Sequence, residues 1–267
     1  MLQKTNPSRN LKLGGIRMSD RAQAPVALVT GSAHRIGAAI VRRFADEGWR
    51  LVIHCHNSRA EAEELLQSIG GQKAGHLVLQ QDLLSCRLQD NIIMPVLSHY
   101  GRLDCLINNA SAYKRRRMLE LSPELIAADY HINFVVPFEL MRLYRQNCDG
   151  GSIINMLDQR VVSVDPGAGA YALAKKSLRD ASLACALEWA PQFRVNAVAP
   201  GIVLPPPYLP PETSMQRMLQ FVPMQMRSSE EEIAEACLFL AQAETITGQI
   251  IFVDGGMHLH NGMNEKN

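Results

Sequence analysis

Six cysteines are scattered through 267 residues, and no two stand in C-x-x-C spacing. That absence removes the zinc-ribbon and thioredoxin-type readings. It leaves Cys55, Cys86, Cys105, Cys148, Cys185 and Cys237 as reduced core thiols, the usual place of free cysteine. No metal site is expected. Net charge is also missing: 27 Lys and Arg stand against 26 Asp and Glu, a formal +1. A chain without a field has no general means of holding nucleic acid or an acidic membrane surface. No apolar run comes near the roughly 18–20 residues that cross a bilayer. The polar, basic N-terminus lacks the apolar centre of a secretory signal. The expectation is a cytoplasmic protein. Met18 makes a natural start before the first strand, so residues 1–17 read as a disordered extension or the result of an upstream start codon, and 1–24 as a flexible tail. A transit peptide is the weaker alternative.

What the chain does contain is an alternation. Short aliphatic runs at 26–30, 51–55, 77–80, 105–107, 152–157, 195–198 and 250–253 predict strands. Helical spacing over 36–47, 60–69, 89–100, 123–146 and 170–189 predicts helices between them. Strands separated by helices imply right-handed βαβ units, and so a parallel sheet covered on both faces. The fold class is α/β, a single-domain, Rossmann-type, doubly wound sheet of about seven strands over residues 25–257. Residues 258–267 are read as a C-terminal tail. The proline-rich stretch 205–211 cannot pair in a sheet. It falls after strand six, in a loop at the strand C-termini, where open α/β sheets bind ligands.

The first strand runs into Thr30-Gly31-Ser32-Ala33-His34-Arg35-Ile36-Gly37. A turn that feeds a helix N-terminus offers free N–H groups and positive dipole to a pyrophosphate, and Gly31 and Gly37 permit the tight turn and close packing. An ordinary strand–helix turn is the alternative. The second strand ends Cys55-His56-Asn57-Ser58-Arg59 with no carboxylate. An NAD site places an acid there for the ribose 2′-hydroxyl. Its absence, with polar and cationic groups in its stead, favours NADPH. Tyr171 and Lys175 stand four apart in a predicted helix and share one face. A nearby ammonium lowers a phenol's pKa, which would make Tyr171 a usable proton donor. Asp158 ends strand five, thirteen residues before Tyr171. The plainer reading is a strand-end carboxylate that caps a turn.

Together these pieces resemble the short-chain dehydrogenase/reductase family over about Val26 to Gly256. The matching residues are Thr30-Gly31…Gly37, Asp82, Asn108-Asn109-Ala110, Asn133, Tyr171 with Lys175, Pro200-Gly201 and Asp254-Gly255-Gly256. The family implies strand order 3-2-1-4-5-6-7, hydride transfer with NAD(P), and a tetramer or dimer; a homotetramer is expected here. Two departures narrow the resemblance. The middle glycine of the phosphate turn is Arg35, and the serine usual before the tyrosine is Asp158. Both are similar to the pteridine reductase branch. "HNS" at 56–58 is similar to its His-Arg-Ser phosphate loop, with Asn57 in the arginine position. "NNASAY" at 108–113 is similar to the segment whose aromatic stacks on pterin.

The resemblance implies a catalytic set of Asp158, Tyr171, Lys175 and Asn133, with Asn133 supporting Lys175 through a water. It implies NADPH contacts at Gly31, Arg35, Ile36 and Gly37, at His56, Asn57 and Ser58, and at Asp82 and Leu83. Further contacts fall on Asn109, Ala110, Ser111, Met156, Tyr171 and Lys175, then Pro200, Gly201 and Val203. Arg35, Ser111, Tyr113, Asp158 and Tyr171 would meet the pterin. A pterin offers a ring nitrogen in a C=N bond and a 2-amino group, and a carboxylate accepts from such N–H groups where a serine suits a ketone. Whether Asp158 or Tyr171 is the immediate proton donor stays open. The expected reaction is reduction of a dihydropterin of the monapterin or biopterin type, with dihydrofolate as a second substrate. The alternatives are a reductase of a carbonyl substrate and a non-catalytic NADPH-binding sensor. Tyr113 as a plain loop aromatic, and Lys114-Arg115-Arg116-Arg117 as a solvated loop or a contact for a folate glutamate tail, are also open. His258 and His260 are read as an exposed tail rather than metal ligands.

Overall fold

The computed structural model describes residues 24–203 and 211–259; the expectations for 1–23, for most of the proline-rich stretch and for His260 lie outside them. Seven strands form one parallel sheet: β1 (Val26–Val29), β2 (Arg50–Cys55), β3 (Leu77–Gln80), β4 (Cys105–Asn108), β5 (Gly151–Met156), β6 (Phe193–Pro200) and β7 (Ile250–Val253). Their order is β3-β2-β1-β4-β5-β6-β7, as the resemblance implies. Every neighbouring pair is parallel.

Strand side chains alternate between two cores, as a period of two requires. Val26 and Leu28 of β1 enter one core, Ala27 and Val29 the other. The first face is covered by α1 (Arg35–Asp46), α2 (Arg59–Ser68) and α8 (Glu230–Gln242), whose Phe44, Leu66 and Cys237 are fully buried there. The second is covered by α3 (Met94–Tyr100), α5 (Val136–Asn147) and α6 (Gly169–Glu188), with Val96, Leu140 and Cys185 packed on Leu28, Leu106 and Val195. Burial on both faces is why the strands read as continuous apolar runs.

The helical region 123–146 is α4 (Pro123–Tyr130) and α5, joined by a π-helical turn at His131–Val135. That turn buries Asn133 completely. Single π turns inside helices concentrate at functional sites. From the sequence no element is expected between Gly201 and Ile250, and the proline-rich stretch is expected to be loop. The structure puts α7 (Pro211–Leu219) and α8 there. The signal for α8 is a capping box: Glu232 N–H donates to Ser229 Oγ, and Ser229 N–H to the Glu232 carboxylate, ahead of buried Ile233, Cys237 and Leu240. All six cysteines are free. Among the described residues no helix is long and apolar enough to cross a membrane.

Candidate active site

The C-terminal ends of β1 and β4 are stitched together. Thr30 Oγ1 accepts the N–H groups of Asn109 and Ala110, both at 3.0 Å, and Asn109 Nδ2 donates to the carbonyls of Thr30 (2.9 Å) and Gly31 (2.8 Å). The phosphate turn lies so close to this seam that a Cβ on Gly37 would stand 2.6 Å from Ser32 Cα and 2.7 Å from Asn109 Nδ2. Glycine is required there by space.

Arg35 occupies the middle-glycine position and keeps the glycine conformation, with φ 53°. A left-handed non-glycine residue costs roughly 1–2 kcal/mol, and such strain is retained where the side chain has a use. Arg35→Gly is therefore expected to be more stable than Arg35→Ala by about 1 kcal/mol in urea unfolding. Equal midpoints for the two variants would show that the turn carries no strain.

The turn also has a support that the sequence reading missed. His54 of β2 is buried; its Nδ1 accepts the Gly31 N–H at 3.0 Å, and its Nε2 donates to the Gln81 carbonyl at 3.1 Å. The two partners fix the tautomer. Burial pushes the ring's pKa down to about 4, so it is neutral near pH 7. The only sequence signal was a histidine in an otherwise aliphatic strand.

Of the group read as a cofactor end, His56 and Asn57 are exposed and Ser58 is half-buried. Arg59 is turned away onto Glu63 (3.1 Å) and Gln80 (3.4 Å). Asp82, from beyond β3, approaches His56 to 4.0 Å, and hydrogen bonds from the Leu84 N–H and the Ser85 hydroxyl hold its carboxyl below the usual range. Leu83, Met156 and Val203 bury their side chains, so they offer a ligand main chain only. Ile36 packs on the first core, and Gly201 follows Pro200 with its N–H donated to the Val253 carbonyl at 2.9 Å.

Asp158, Tyr171 and Lys175 converge. Tyr171 Oη donates to Asp158 Oδ2 at 3.1 Å, and Lys175 Nζ donates to the Met156 carbonyl at 2.7 Å. The expected effect of lysine on the phenol is reversed here. Burial, then the Asp158 charge and hydrogen bond, push the Tyr171 pKa well above the ordinary phenol value, against smaller opposing effects of Arg160 and Ser111. A phenol that donates to a carboxylate loses that bond on ionising. Asp158 also accepts the Arg160 N–H at 2.8 Å, so it is turn cap and tyrosine partner at once.

Lys175 is fully buried, and desolvation pushes its pKa down to about 8, with Asp158 acting in the opposite sense. The unfolded chain, with a lysine near 10.5, then binds more protons between about pH 8 and 10.5. Stability contributed by this site is lowest below pH 8, rises across that window and is flat above it. The rise is on the order of 3 kcal/mol at about 1.36 kcal/mol per pKa unit. Lys175→Met should remove it. Urea unfolding of both proteins at several pH values checks this, and parallel stability curves would contradict it.

Ser111 Oγ donates to Asn133 Oδ1 at 2.7 Å, and Asn133 Nδ2 donates to the carbonyls of Ala112 (3.0 Å) and Asp129 (2.9 Å). The structure thus joins Asn133 to Ser111. The Tyr113 ring lies 4.7 Å from that of Tyr171, and Tyr113 is 45% exposed. The basic run is exposed at Lys114, Arg115 and Arg117, and within it Arg115 pairs with Asp165 and Arg116 with Asp129, each at 3.4 Å. Nor is His258 an exposed tail. Its Nδ1 lies 2.9 Å from Asp254 Oδ2 and its ring stacks on Phe252.

A parallel seven-stranded sheet with a Tyr/Lys pair beside the end of β5 and a glycine turn after β1 defines a class. A family model described as enoyl-(acyl carrier protein) reductase matches residues 31–258, and the chain belongs to the short-chain dehydrogenase/reductase family. Pteridine reductase 1 of Leishmania tarentolae is 29% identical over 286 residues, covering 91% of this chain and 99% of its own. The crystal structure of FolM alternative dihydrofolate reductase 1 from Brucella suis, in complex with NADP, matches with a TM-score of 0.82 at 32% identity, over 89% of this chain and 96% of that one. The 3-oxoacyl-(acyl-carrier-protein) reductase FabG of Thermotoga maritima is 30% identical over 247 residues, 89% of this chain and 99% of its own.

Proposed function

We propose that this protein is an NADPH-dependent pterin reductase. It reduces a dihydropterin of the monapterin or biopterin type to the tetrahydro form, with dihydrofolate as a second substrate. The observation that carries the reading is the carboxylate of Asp158, 3.1 Å from the hydroxyl of Tyr171, whose ring lies 4.7 Å from the exposed ring of Tyr113. The likeness to pteridine reductase 1 and to the NADP-bound FolM structure supports it.

The residues present fit the cofactor. A side chain at Gly31 or Gly37 would collide with Ala110 or Ser32; His54 takes the Gly31 and Ser32 N–H groups, and those at the start of α1 are the ones offered to a pyrophosphate. The end of β2 holds His56, Asn57 and Ser58 and no acid, which suits a 2′-phosphate. When bound, NADPH supplies the hydride for the ring carbon. The chain's own residues do the rest. Tyr171 keeps its phenol proton at neutral pH and delivers it at the ring nitrogen. Asp158 accepts from substrate N–H groups. Lys175, with a pKa near 8, relays a proton toward Tyr171. Arg35 meets cofactor phosphate and pterin together, Ser111 hydrogen-bonds the pterin, and Tyr113 stacks on it. Asn133 positions Ser111.

A homotetramer belongs to the same proposal. Leu173, Leu183 and Leu187 of α6 are exposed apolar side chains, and the mass in solution tests the assembly.

The FabG relative favours the second reading, a carbonyl substrate. NADPH oxidation measured with dihydropterin, dihydrofolate, ketones and a 3-oxoacyl thioester separates the two. Turnover of carbonyl substrates alone would overturn the pterin assignment. NADPH binding with no turnover of any substrate would point to the sensor.

A further inference from the structure

One wall of the site carries four charged side chains in alternating sign. Arg160 Nη1 donates to both oxygens of Asp158, at 3.2 and 3.0 Å, and Arg160 Nε donates to Asp165 Oδ2 at 2.9 Å. Arg115 closes the far end, its two terminal nitrogens each 3.4 Å from an Asp165 oxygen. The same Arg160 guanidinium stands 5.5 Å from the centroid of the Tyr113 ring. The turn that carries it, Gln159–Val161, is tied to α6: Arg179 Nη1 donates to the Val161 carbonyl at 2.6 Å, and Lys176 Nζ to that of Ser163 at 2.8 Å. Arg160 and Asp158 are only 21% and 16% exposed at their side chains, so the pair is little screened by water.

We infer that Arg160 is a positioning residue for the reaction: one rigid guanidinium sets where the Asp158 carboxylate and the Tyr113 ring stand relative to each other. The inference rests on the reading of Asp158 and Tyr171 as the reacting pair, and deepens it. A carboxylate has about four acceptor directions. Here three donors hold it, the Arg160 N–H on Oδ1, the Tyr171 hydroxyl on Oδ2 and Nη1 shared between the two oxygens, and one direction is left for a substrate N–H. The carboxylate therefore has no freedom to turn while Arg160 is in place. The Tyr113 ring has the guanidinium 5.5 Å from its centroid and the Tyr171 ring at 4.7 Å. A flat substrate against Tyr113 presents its edge groups at a height set by that ring. Whether they meet Asp158 then depends on the two residues that touch both, Arg160 and Tyr171. Asp165 and Arg115 keep the guanidinium from swinging out.

Lysine cannot replace the fork, because an ammonium is a point charge without two parallel donors. In Arg160→Gln, kcat/KM for dihydropterin is expected to fall about 30- to 100-fold, the loss that follows a displacement of about 1 Å at a reacting pair. The NADPH Kd should stay within about twofold, since a displaced reacting pair acts on the substrate step. Arg160→Lys should recover less than about a tenth of that loss. A purely structural turn would instead lower the melting temperature and leave the ratio of substrate to cofactor effects unchanged. A wild-type rate in the folded Gln variant overturns the inference.

If the wild-type enzyme reduces only carbonyl substrates, the pterin reading falls and the variants are assayed on the carbonyl. An unchanged rate there overturns the role of Arg160, and a comparable loss upholds it. A crystal structure of Arg160→Lys gives a readout independent of turnover. Asp158 and Tyr113 displaced from their present places support the inference, and both unmoved refute it.

Discussion

Tyr171→Phe is expected to lower kcat with dihydropterin about a thousandfold, within the range for loss of a general acid, and to leave the NADPH Kd nearly unchanged. The hydroxyl holds its proton firmly and lies against Asp158. Burial and Asp158 keep it in the phenol form, so a proton is available to a ring nitrogen that gains electron density as its carbon is reduced. Phenylalanine keeps the ring and its contact with Tyr113, and removes only the oxygen. The stability loss should be about 1 kcal/mol, one net hydrogen bond. Measurement of kcat, KM and NADPH Kd on a variant with a two-state melt checks the split. If kcat fell less than about tenfold, well under the general-acid range, the proton would come from elsewhere. The sensor reading would then need to be taken up.

Asp158→Ser should cost about a hundredfold in kcat/KM for dihydropterin. A charge-assisted hydrogen bond contributes roughly 1.5–3 kcal/mol, and about 1.4 kcal/mol is tenfold in rate. The serine accepts one hydrogen bond where the carboxylate accepts several, and it leaves Arg160 with Asp165 as its remaining carboxylate partner. NADPH binding should be spared, because Asp158 is not among the expected cofactor contacts. The substitution restores the residue usual in the family at this position, so it also decides between substrates. A gain or no change with ketones beside the loss with dihydropterin fits a carboxylate chosen for N–H groups. An unchanged pterin rate would mean that Asp158 serves only to cap its turn, as its bond from the Arg160 N–H allows.

Much of the architecture is legible in the chain. The runs at 26–30, 51–55 and 105–107 fall on strands because residues buried on both faces are mostly apolar. The helix carrying Tyr171 and Lys175 is legible from spacing alone. Between Gly201 and Ile250 the reading fails. Prolines mask the start of α7, and the capping box of α8 is a local signal weaker than strand periodicity. The site shows the same division. Gly31, Gly37, Asp158, Tyr171 and Lys175 stand out by residue type and spacing. Arg160 and His54 do not, because their partners, Asp165 and Tyr113 in one case and Gly31 and Gln81 in the other, are nearby only in the folded chain.

By itself, then, the sequence determined the parallel sheet, its strand order through the family resemblance, and the residue types at the reacting centre. These follow from periodicity and from spacing along one helix, which are properties of the chain. Tertiary structure alone decided the electrostatics. Spacing along α6 suggests that Lys175 acts on Tyr171, but burial and a carboxylate from the end of β5 outweigh it, and the phenol pKa rises instead of falling. It likewise decided that Arg35 keeps a glycine's backbone, and that the arginines at 115 and 116 are clamps rather than free charges. A charge acts through distance and solvent exposure, and neither quantity exists until the chain has folded.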